Sequence, residues 1–447
     1  MRKKKAAVTT AIMLFAVFLV AVIFAVKWQG NEDAAYGENF DETQEAYGDD
    51  RQIVISLGQN PSTVCISWKG ADGDGEYVRV SGDKASLSSA EAIEAVSEKA
   101  LSGKYYRYTV QLNGLEAGSR YYYQIGDGEV FDKPRSFIAP QESGRSTFLY
   151  LGDVQFNVSV GEYEDWEKMT GEIYERHPQI QFAVIGGDMV NMPKEEQQWN
   201  GFLSSCRLFG RLPLMTVSGN HEGVRSNNTY KKMFAVSDNG PEQEELTEDF
   251  YYFDYGSCRF IMTDSSFLTD ERKGEMGEER WELCETAIED WLRETIEGSR
   301  KTWNIVVTHH PPYGLHDKDT VSPQLRSLWV PVLEEAGADL VLCGHQHMYM
   351  RTESINGITY IMGNSGNRES EFFDGDNAPE YCASVYAEDA NYQIIEADSS
   401  KLRILSYNKK GLIIDEATIR KGLWFHIFKF LSGDQIIVES AQMNEIV

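Results

Sequence analysis

The hydrophobic positions divide the chain into stretches of different period. Between residues 51 and 140, short apolar runs alternate with turn residues such as Asn113-Gly114 at near-regular spacing. Short strands separated in this way are typical of an antiparallel β-sandwich. From about Thr147 the pattern changes to apolar strands that alternate with helices, of which residues 279–296 show the clearest helical spacing. The sequence therefore predicts an all-β domain at 51–140 and an α/β domain at 145–420.

The amino-terminal end has a pattern of its own. Residues 2–5 are basic, and residues 6–26 form an uncharged, largely apolar run of about the length, roughly 20 residues, that spans a bilayer. We predict a cytoplasmic basic stub and a single-pass signal anchor at residues 1–28, which places the rest of the chain outside the cell. A cleaved signal peptide, and hence a secreted protein, is the alternative. Residues 29–50 are acidic and poor in large apolar side chains, which predicts a flexible linker.

The carboxyl-terminal end is an extension at residues 421–447 that begins with an apolar, aromatic run containing lysines. Two interpretations are open for this run: it inserts into a membrane interface, or it docks on the α/β domain, which we favour. The six cysteines show no CxxC spacing. We expect mainly unpaired core thiols, with one disulfide as the alternative.

The charge of the chain limits its partners. A formal net charge of −28 argues against a nucleic acid-binding surface. It does not exclude a small phosphate ester, because bound metal ions can invert the local potential.

Five predicted strands of the α/β domain end in residues that can bind a metal ion. Loops at strand ends carry much of the chemistry of α/β folds, so we expect these side chains to converge. Six oxygen and nitrogen donors, none of them a thiolate, are more ligands than one tetrahedral zinc ion binds. They suit a pair of Mn, Zn or Fe ions. In extended backbone, His345 and His347 would point the same way and reach two neighbouring ions. The candidate ligands are Asp153, Asp188, Asn220, His309, His345 and His347.

The motifs around these residues resemble a known family. Gly152-Asp153, Gly187-Asp188, Gly219-Asn220-His221-Glu222, Val306-Val307-Thr308-His309 and Gly344-His345-Gln346-His347 are similar to the successive blocks of the calcineurin-like metallophosphoesterases. Residues 51–140 resemble the fibronectin III-like N-terminal domain of purple acid phosphatases. The resemblance implies a four-layer α/β/β/α sandwich for residues 145–420.

The same resemblance implies a role for each residue. Asp188 would bridge two ions, Asp153 and His347 would hold the first, and Asn220, His309 and His345 would hold the second. His221 would act beside the phosphoryl group as electrostatic stabiliser or as acid to the leaving oxygen. His310 would contact substrate, with a packing role as the alternative, and Glu222 would orient an imidazole.

Two positions depart from the family's patterns. Asn191 stands where purple acid phosphatases have the tyrosine that binds ferric iron, and Gln155 stands where many other members have a histidine. Gln155 would ligate weakly or bind a metal-held water. We therefore expect two divalent ions, Mn, Zn or Fe(II), and no coloured iron–phenolate centre.

Together these expectations describe a membrane-anchored extracellular phosphoesterase. It would hydrolyse a small phosphate ester by in-line attack of a metal-bound hydroxide. The sequence leaves open the substrate, monoester or diester, and the oligomeric state. The alternative, motivated by Gln155 and Asn191, is a non-enzymatic cell-surface binding protein on a degenerate metallophosphoesterase scaffold.

Overall fold

The computed structural model describes residues 51–421, apart from 71–74, 101, 102, 104, 158, 160, 207, 224–228, 316–318 and 369–377. The predicted anchor at residues 6–26, the acidic linker at 29–50 and the extension after residue 421 lie outside the described residues. Within the described part of the chain, no helix is both long enough and apolar enough to cross a membrane.

The amino-terminal domain consists of antiparallel strands in two sheets. The strands are β1 Val54–Leu57, β2 Val64–Gly70, β3 Tyr77–Ser81, β4 Ala92–Glu94, β5 Val96–Lys99, β6 Tyr106–Leu112, β7 Arg120–Gly126 and β8 Arg135–Ile138. One sheet has the order β1-β2-β6-β5 and the other β4-β3-β7-β8. Trp68 is fully buried and stacks on Tyr108, with ring centroids 5.9 Å apart. A 3₁₀ helix, Lys84–Ser89, precedes β4.

The second domain contains the remaining described strands. They are β9 Ser146–Leu151, β10 Phe182–Ile185, β11 Leu214–Thr216, β12 Tyr251–Tyr255, β13 Cys258–Met262, β14 Trp303–Val307, β15 Leu340–Cys343, β16 Tyr349–Thr352, β17 Thr359–Met362, β18 Cys382–Tyr386, β19 Asn391–Ala397, β20 Lys401–Asn408 and β21 Ile413–Arg420. They form a six-stranded sheet, β11-β10-β9-β19-β20-β21, and a seven-stranded sheet, β12-β13-β14-β15-β17-β16-β18. Strands β9, β10 and β11 are parallel, as are β13, β14, β15 and β17.

Helices connect the parallel strands. They are α1 Glu162–Arg176, α2 Glu196–Ser204, α3 Asn220–Gly223, α4 Thr229–Met233, α5 Asp270–Met276, α6 Glu278–Glu297 and α7 Val321–Ala336, with 3₁₀ helices at Glu244–Leu246 and Ser265–Leu268. Alternation of parallel strands with helices gives the mixed α/β architecture that the hydrophobic pattern predicted.

Three apolar layers hold the second domain together. Between the sheets, Phe148 stacks on Phe182 at 5.3 Å and meets Phe260 edge-on at 5.0 Å. On the outer face of the six-stranded sheet, α1 and α2 bury Trp166 and Phe202 in one cluster with residues of β9 and β10. On the outer face of the seven-stranded sheet, α6 and α7 pack against β13, β14 and β15. The two sheets therefore lie face to face with helices outside them.

This arrangement sets the position of the candidate site. Parallel strands present their carboxyl ends at one edge of a sheet. Strands β9, β10 and β11 of one sheet and β14 and β15 of the other each end just before a candidate ligand. Since the sheets pack against each other, the loops from both reach a common space.

Candidate metal centre

Three of the candidate ligands form one compact group. Potential ligand atoms of Asp188, His309 and His345 all lie within 4.8 Å of one another. Nε2 of His309 is 3.3 Å from Oδ2 of Asp188, while its Nδ1 bonds the backbone carbonyl of Gly186 at 2.9 Å. Because a carbonyl only accepts, Nδ1 of His309 carries the proton and Nε2 is left as the ligating atom.

Asn220 joins the two imidazoles of this group. Its Oδ1 lies 3.0 Å from Nε2 of His309 and 2.9 Å from Nδ1 of His345. Oxygen and nitrogen atoms that meet at these distances are the kind of donor set that Mn, Zn and Fe accept. The structure thus brings together the residues expected to hold the second ion, with Asp188 beside them.

The residues expected to hold the first ion lie next to this group. Nε2 of His347 is 4.0 Å from Oδ1 of Asp153. Oδ2 of Asp153 accepts a hydrogen bond of 2.6 Å from the backbone N–H of His345. Oδ1 of Asp153 and Oε1 of Gln155 are buried, and the structure's described residues offer neither a hydrogen-bond partner. A buried acceptor without a partner is costly in a folded protein, and a cation bound here would satisfy both oxygens. Since the group of Asp188, His309 and His345 beside it can hold another cation, the residues present fit a two-cation site.

The backbone at these strand ends differs from the prediction made for His345-Gln346-His347. His345 and His347 have left-handed φ values of 78° and 53°, and Asp153, Gln155 and Asp188 have values of 41°, 42° and 47°. The prediction of extended backbone with parallel imidazoles was therefore wrong. Left-handed backbone is strained for residues other than glycine and clusters at functional sites. It turns each loop sharply at the strand end, which lets the two imidazoles diverge towards Asn220 and Asp153.

The electrostatics favour the neutral, ligating forms of His345 and His347, and the charged form of His309. Burial lowers the pKa of His345 to about 4, with the charge of His309 adding to the effect, and burial likewise lowers the pKa of His347 to about 4. Burial opposes charge on His309, but the Asp188 carboxylate outweighs it and raises the pKa of His309 to about 10. Burial raises the pKa of Asp153 well above its usual range, and Asp188 adds to that. The cluster holds closely spaced carboxylates whose repulsion bound cations would relieve.

His221 lies beside this group. Its backbone N–H donates to Oδ1 of Asp188 at 3.0 Å, and its Nδ1 bonds the carbonyl oxygen of Asn191 at 2.6 Å. Nε2 is 2.6 Å from Nε2 of Gln155 and 3.9 Å from Oδ2 of Asp188. Since Nδ1 must donate to the carbonyl, Nε2 accepts from the Gln155 amide. The ring is partly exposed, as a group that meets substrate must be.

Asn191 and Gln155 form a hydrogen-bond network on the same side of the site as His221. Oδ1 of Asn191 accepts from Nε2 of Gln155 at 3.3 Å and from Nη2 of Arg368 at 2.7 Å. Nδ2 of Asn191 donates to Oδ1 of Asn157 at 3.2 Å. The carboxamide of Asn191 is thus bound to other side chains. Gln155, in contrast, donates through its nitrogen, and its buried oxygen has no hydrogen-bond partner among the described residues.

Glu222 has contacts that differ from the expected one, and His310 has contacts that match one of its two expected roles. The Glu222 carboxylate accepts backbone N–H groups of Met189, Val190 and Gly219 at 2.9, 3.1 and 3.0 Å. It therefore ties two ligand-bearing loops together through the backbone and does not orient an imidazole through these bonds. His310 is 3% exposed, lies 2.8 Å from the Ser265 hydroxyl and packs on the His345 ring at 4.3 Å. This burial favours the packing alternative over substrate contact.

Sequence analysis did not identify two residues that lie at the site. Oδ2 of Asp319 lies 3.7 Å from Nε2 of His345, and its carboxylate also accepts from Val321 N and the Ser322 hydroxyl. Asp319 lies two residues before α7, next to its N-cap residue Thr320, and an aspartate near a helix start is normally interpreted as a capping residue. Arg368 has no local sequence signal, because it lies in a loop 177 residues along the chain from Asn191, which it contacts.

Comparison with known proteins finds two family models that match this chain. A model described as calcineurin-like phosphoesterase matches residues 146–349, and one described as purple acid phosphatase, N-terminal domain, matches residues 50–139. An uncharacterized protein of Mycobacterium tuberculosis is 24% identical over 342 residues, which cover 68% of this chain and 62% of that protein. A purple acid phosphatase of Glycine max is 22% identical over 343 residues, covering 71% of this chain and 69% of the relative.

A further relative and a solved structure also resemble this chain. Purple acid phosphatase 23 of Arabidopsis thaliana is 25% identical over 323 residues, covering 62% of this chain and 66% of that protein. The chain thus matches a little under two thirds of the length of these Mycobacterium and Arabidopsis relatives. The solved structure of PhoD aligns with a TM-score of 0.59 at 12% identity, covering 85% of this chain and 96% of that one, and so shares the fold. The chain therefore contains a calcineurin-like phosphoesterase domain preceded by a purple acid phosphatase N-terminal domain, and it has purple acid phosphatases among its homologues.

Proposed function

We propose that this protein is a metal-dependent phosphoester hydrolase that holds two divalent cations, Mn, Zn or Fe(II). The observation that carries the proposal is the convergence of Asp188, His309 and His345 within 4.8 Å, beside the unsatisfied oxygens of Asp153 and Gln155. The related families use dinuclear metal centres. Asp153 and His347 would hold one ion, Asn220, His309 and His345 the other, and Asp188 both; Gln155 Oε1 would complete the first site.

The chemistry divides between the cations and the chain. When bound, the cations would supply an activated water and neutralise charge on the phosphoryl group. His221 is held by two of its own hydrogen bonds, to Asp188 and to Asn191. Its Nε2 would exchange the Gln155 amide for the substrate and, after taking up a proton from solvent to give the imidazolium, would stabilise a phosphoryl oxygen or pass that proton to the leaving oxygen. Asn191 would not ligate, because its carboxamide is occupied by Gln155, Arg368 and Asn157.

The test is hydrolysis of p-nitrophenyl phosphate and bis(p-nitrophenyl) phosphate by the purified protein with added Mn, Zn or Fe(II). Asp188→Ala should lose turnover and bound metal while circular dichroism shows an intact fold. Absence of turnover on both esters under every metal would contradict a hydrolase. If the wild-type chain also held fewer than one tight ion, the result would favour the non-enzymatic binding protein.

We also propose that residues 6–26 anchor the chain in a membrane with the phosphoesterase domain outside the cell. The basic residues 2–5, the apolar run and the acidic residues 29–50 that follow support this topology. Fractionation of cells that express the full chain should find it in the membrane pellet, and a variant without residues 1–28 should leave that pellet. A full chain that is found in the soluble fraction without cleavage would exclude an anchor.

A further inference from the structure

Arg368 is a cation at the edge of the metal centre to which no role has been assigned above. Its Nη2 donates to Oδ1 of Asn191 at 2.7 Å. Its backbone carbonyl accepts from Nδ2 of Asn364 at 2.8 Å, so the main chain is fixed at this residue as well. The residue is half-buried, so part of it remains exposed to solvent.

Asn191 connects Arg368 to the residue expected beside the phosphoryl group. While its Oδ1 binds Arg368, its backbone carbonyl binds Nδ1 of His221 at 2.6 Å. Nε2 of His221 in turn lies 3.9 Å from Oδ2 of Asp188. A single asparagine therefore positions the guanidinium and the imidazole at the same margin of the site.

Arg368 also lies near a carboxylate at this margin, that of Glu162. The neighbouring Glu162 carboxylate accepts the backbone N–H groups of Asn157 and Ser159 at 3.0 and 2.7 Å. Glu162 is therefore held by its own loop, and the charge of Arg368 acts on its carboxylate as well.

We propose that Arg368 binds a non-bridging oxygen of the substrate's phosphoryl group and that Asn191 positions its guanidinium for this contact. The inference rests on the proposed function. A guanidinium presents several N–H donors in a plane that matches phosphate oxygens, so it can keep its bond to Asn191 and donate to a phosphoryl oxygen. Asn191, where the purple acid phosphatases carry a metal-binding tyrosine, thus serves the substrate side of the site.

The contact should matter most for ligands of higher negative charge. A phosphomonoester or free phosphate carries more charge than a diester, and a nearby cation stabilises it more strongly. Loss of Arg368 should therefore weaken inorganic phosphate and monoesters more than diesters, and should act mainly on KM.

The experiment measures binding of inorganic phosphate to the Mn- or Zn-loaded full chain by titration calorimetry. Arg368→Gln should weaken binding about tenfold or more, Arg368→Lys should restore part of it, and Asn191→Ala should weaken it through the lost positioning. The matched control is Arg293→Gln, which removes the same charge from an exposed helical position that pairs with Glu335 at 2.9 Å. Metal content and melting temperature are measured for each variant.

The outcomes separate the two proposals. Wild-type phosphate affinity in a fully metal-loaded Arg368→Gln variant would overturn the role of Arg368, whether or not the protein hydrolyses esters. Loss of metal or of thermal stability in that variant would also overturn it, because the residue would then be structural. Arg368-dependent phosphate binding without turnover of any ester would support the contact and contradict the proposed hydrolase.

Discussion

The phenol of Tyr150 donates a hydrogen bond of 2.6 Å to the backbone carbonyl of Cys343. Tyr150 lies in β9 of the six-stranded sheet and Cys343 at the end of β15 in the seven-stranded sheet. Both residues are fully buried. The bond therefore joins the two sheets just below the loops that carry Asp153 and His345, and fixes the two halves of the ligand set relative to each other.

Replacing Tyr150 by Phe should cost about 1 kcal/mol of unfolding free energy. The loss is expected to be moderate because the Cys343 carbonyl also accepts from the backbone N–H of Gly363 at 2.9 Å. Metal affinity should fall as well, because the two sheets would be less firmly aligned. Urea denaturation and metal titration measure the two effects.

Tyr360→Phe is the matched control. Tyr360 is a fully buried tyrosine in β17, and its hydroxyl has no hydrogen-bond partner among the residues that are described. Its removal should leave stability unchanged or raise it, since an unsatisfied buried hydroxyl disappears. If Tyr150→Phe and Tyr360→Phe changed the unfolding free energy and the metal affinity equally, the hydrogen bond between the sheets would not support the site.

Glu222→Gln should loosen the loops that hold Asp188 and Asn220. The carboxylate offers two oxygens to three backbone N–H groups, whereas glutamine has one oxygen and an NH₂ group that would face a donor. We expect a loss of about 1–3 kcal/mol and weaker metal binding, measured by urea denaturation and calorimetry. Glu282→Gln, on the exposed side of α6, should change neither. Unaltered metal affinity in Glu222→Gln would show that these backbone bonds do not support the site.

Asp249 should make stability depend on pH. Burial raises the pKa of its carboxyl from 3.8 to about 7, with Asp264 adding to the shift and Lys231 and Arg272 opposing it. The folded state then keeps a proton that the unfolded chain has released, so stability falls as pH rises from about 4 to about 7. The full effect is at most about 4 kcal/mol, at 1.36 kcal/mol for each pKa unit.

Asp249→Asn removes this titration. The variant's stability relative to wild type should therefore increase between pH 5 and pH 8, as followed by urea denaturation at each pH. Asp290→Asn, an exposed change of the same kind on α6, is the reference. An Asp249→Asn difference that is equal at pH 5 and pH 8 would mean that Asp249 is ionised throughout, held by its ion pair with Lys231 at 2.8 Å.

Particular residues show what the sequence could reveal and what it could not. Asp188 and His309 each follow an apolar strand, and the rule that strand ends meet at a sheet edge was enough to predict that they converge. Arg368 and Asp319 obey no such rule, because their positions depend on where long connections return to the site. The conformation of His345-Gln346-His347 was mispredicted for a similar reason. Hydrogen bonds to tertiary neighbours, such as the one that the His345 N–H donates to Asp153, stabilise a left-handed backbone that the local sequence pattern does not favour.

Gly219 supports the site through the absence of a side chain. A Cβ built at this position would lie 2.0 Å from Oδ1 and 2.4 Å from the backbone nitrogen of Asp188. Neither atom can yield without moving the residue proposed to bridge the cations. Gly219→Ala should therefore reduce metal content and turnover together, while the sheets stay folded.

Gly274→Ala is the control that separates a local clash from a general intolerance of alanine. Gly274 lies within α5, and a Cβ there would meet nothing within 4 Å. Since alanine is favoured over glycine inside helices, this variant should be about 0.5–1 kcal/mol more stable than wild type and should keep its metals and activity. Metal analysis, phosphatase assay and urea denaturation on both variants provide the comparison. Wild-type metal affinity in Gly219→Ala would mean that Asp188 can move without loss of the cations, and a bridging role for its carboxylate would then be untenable.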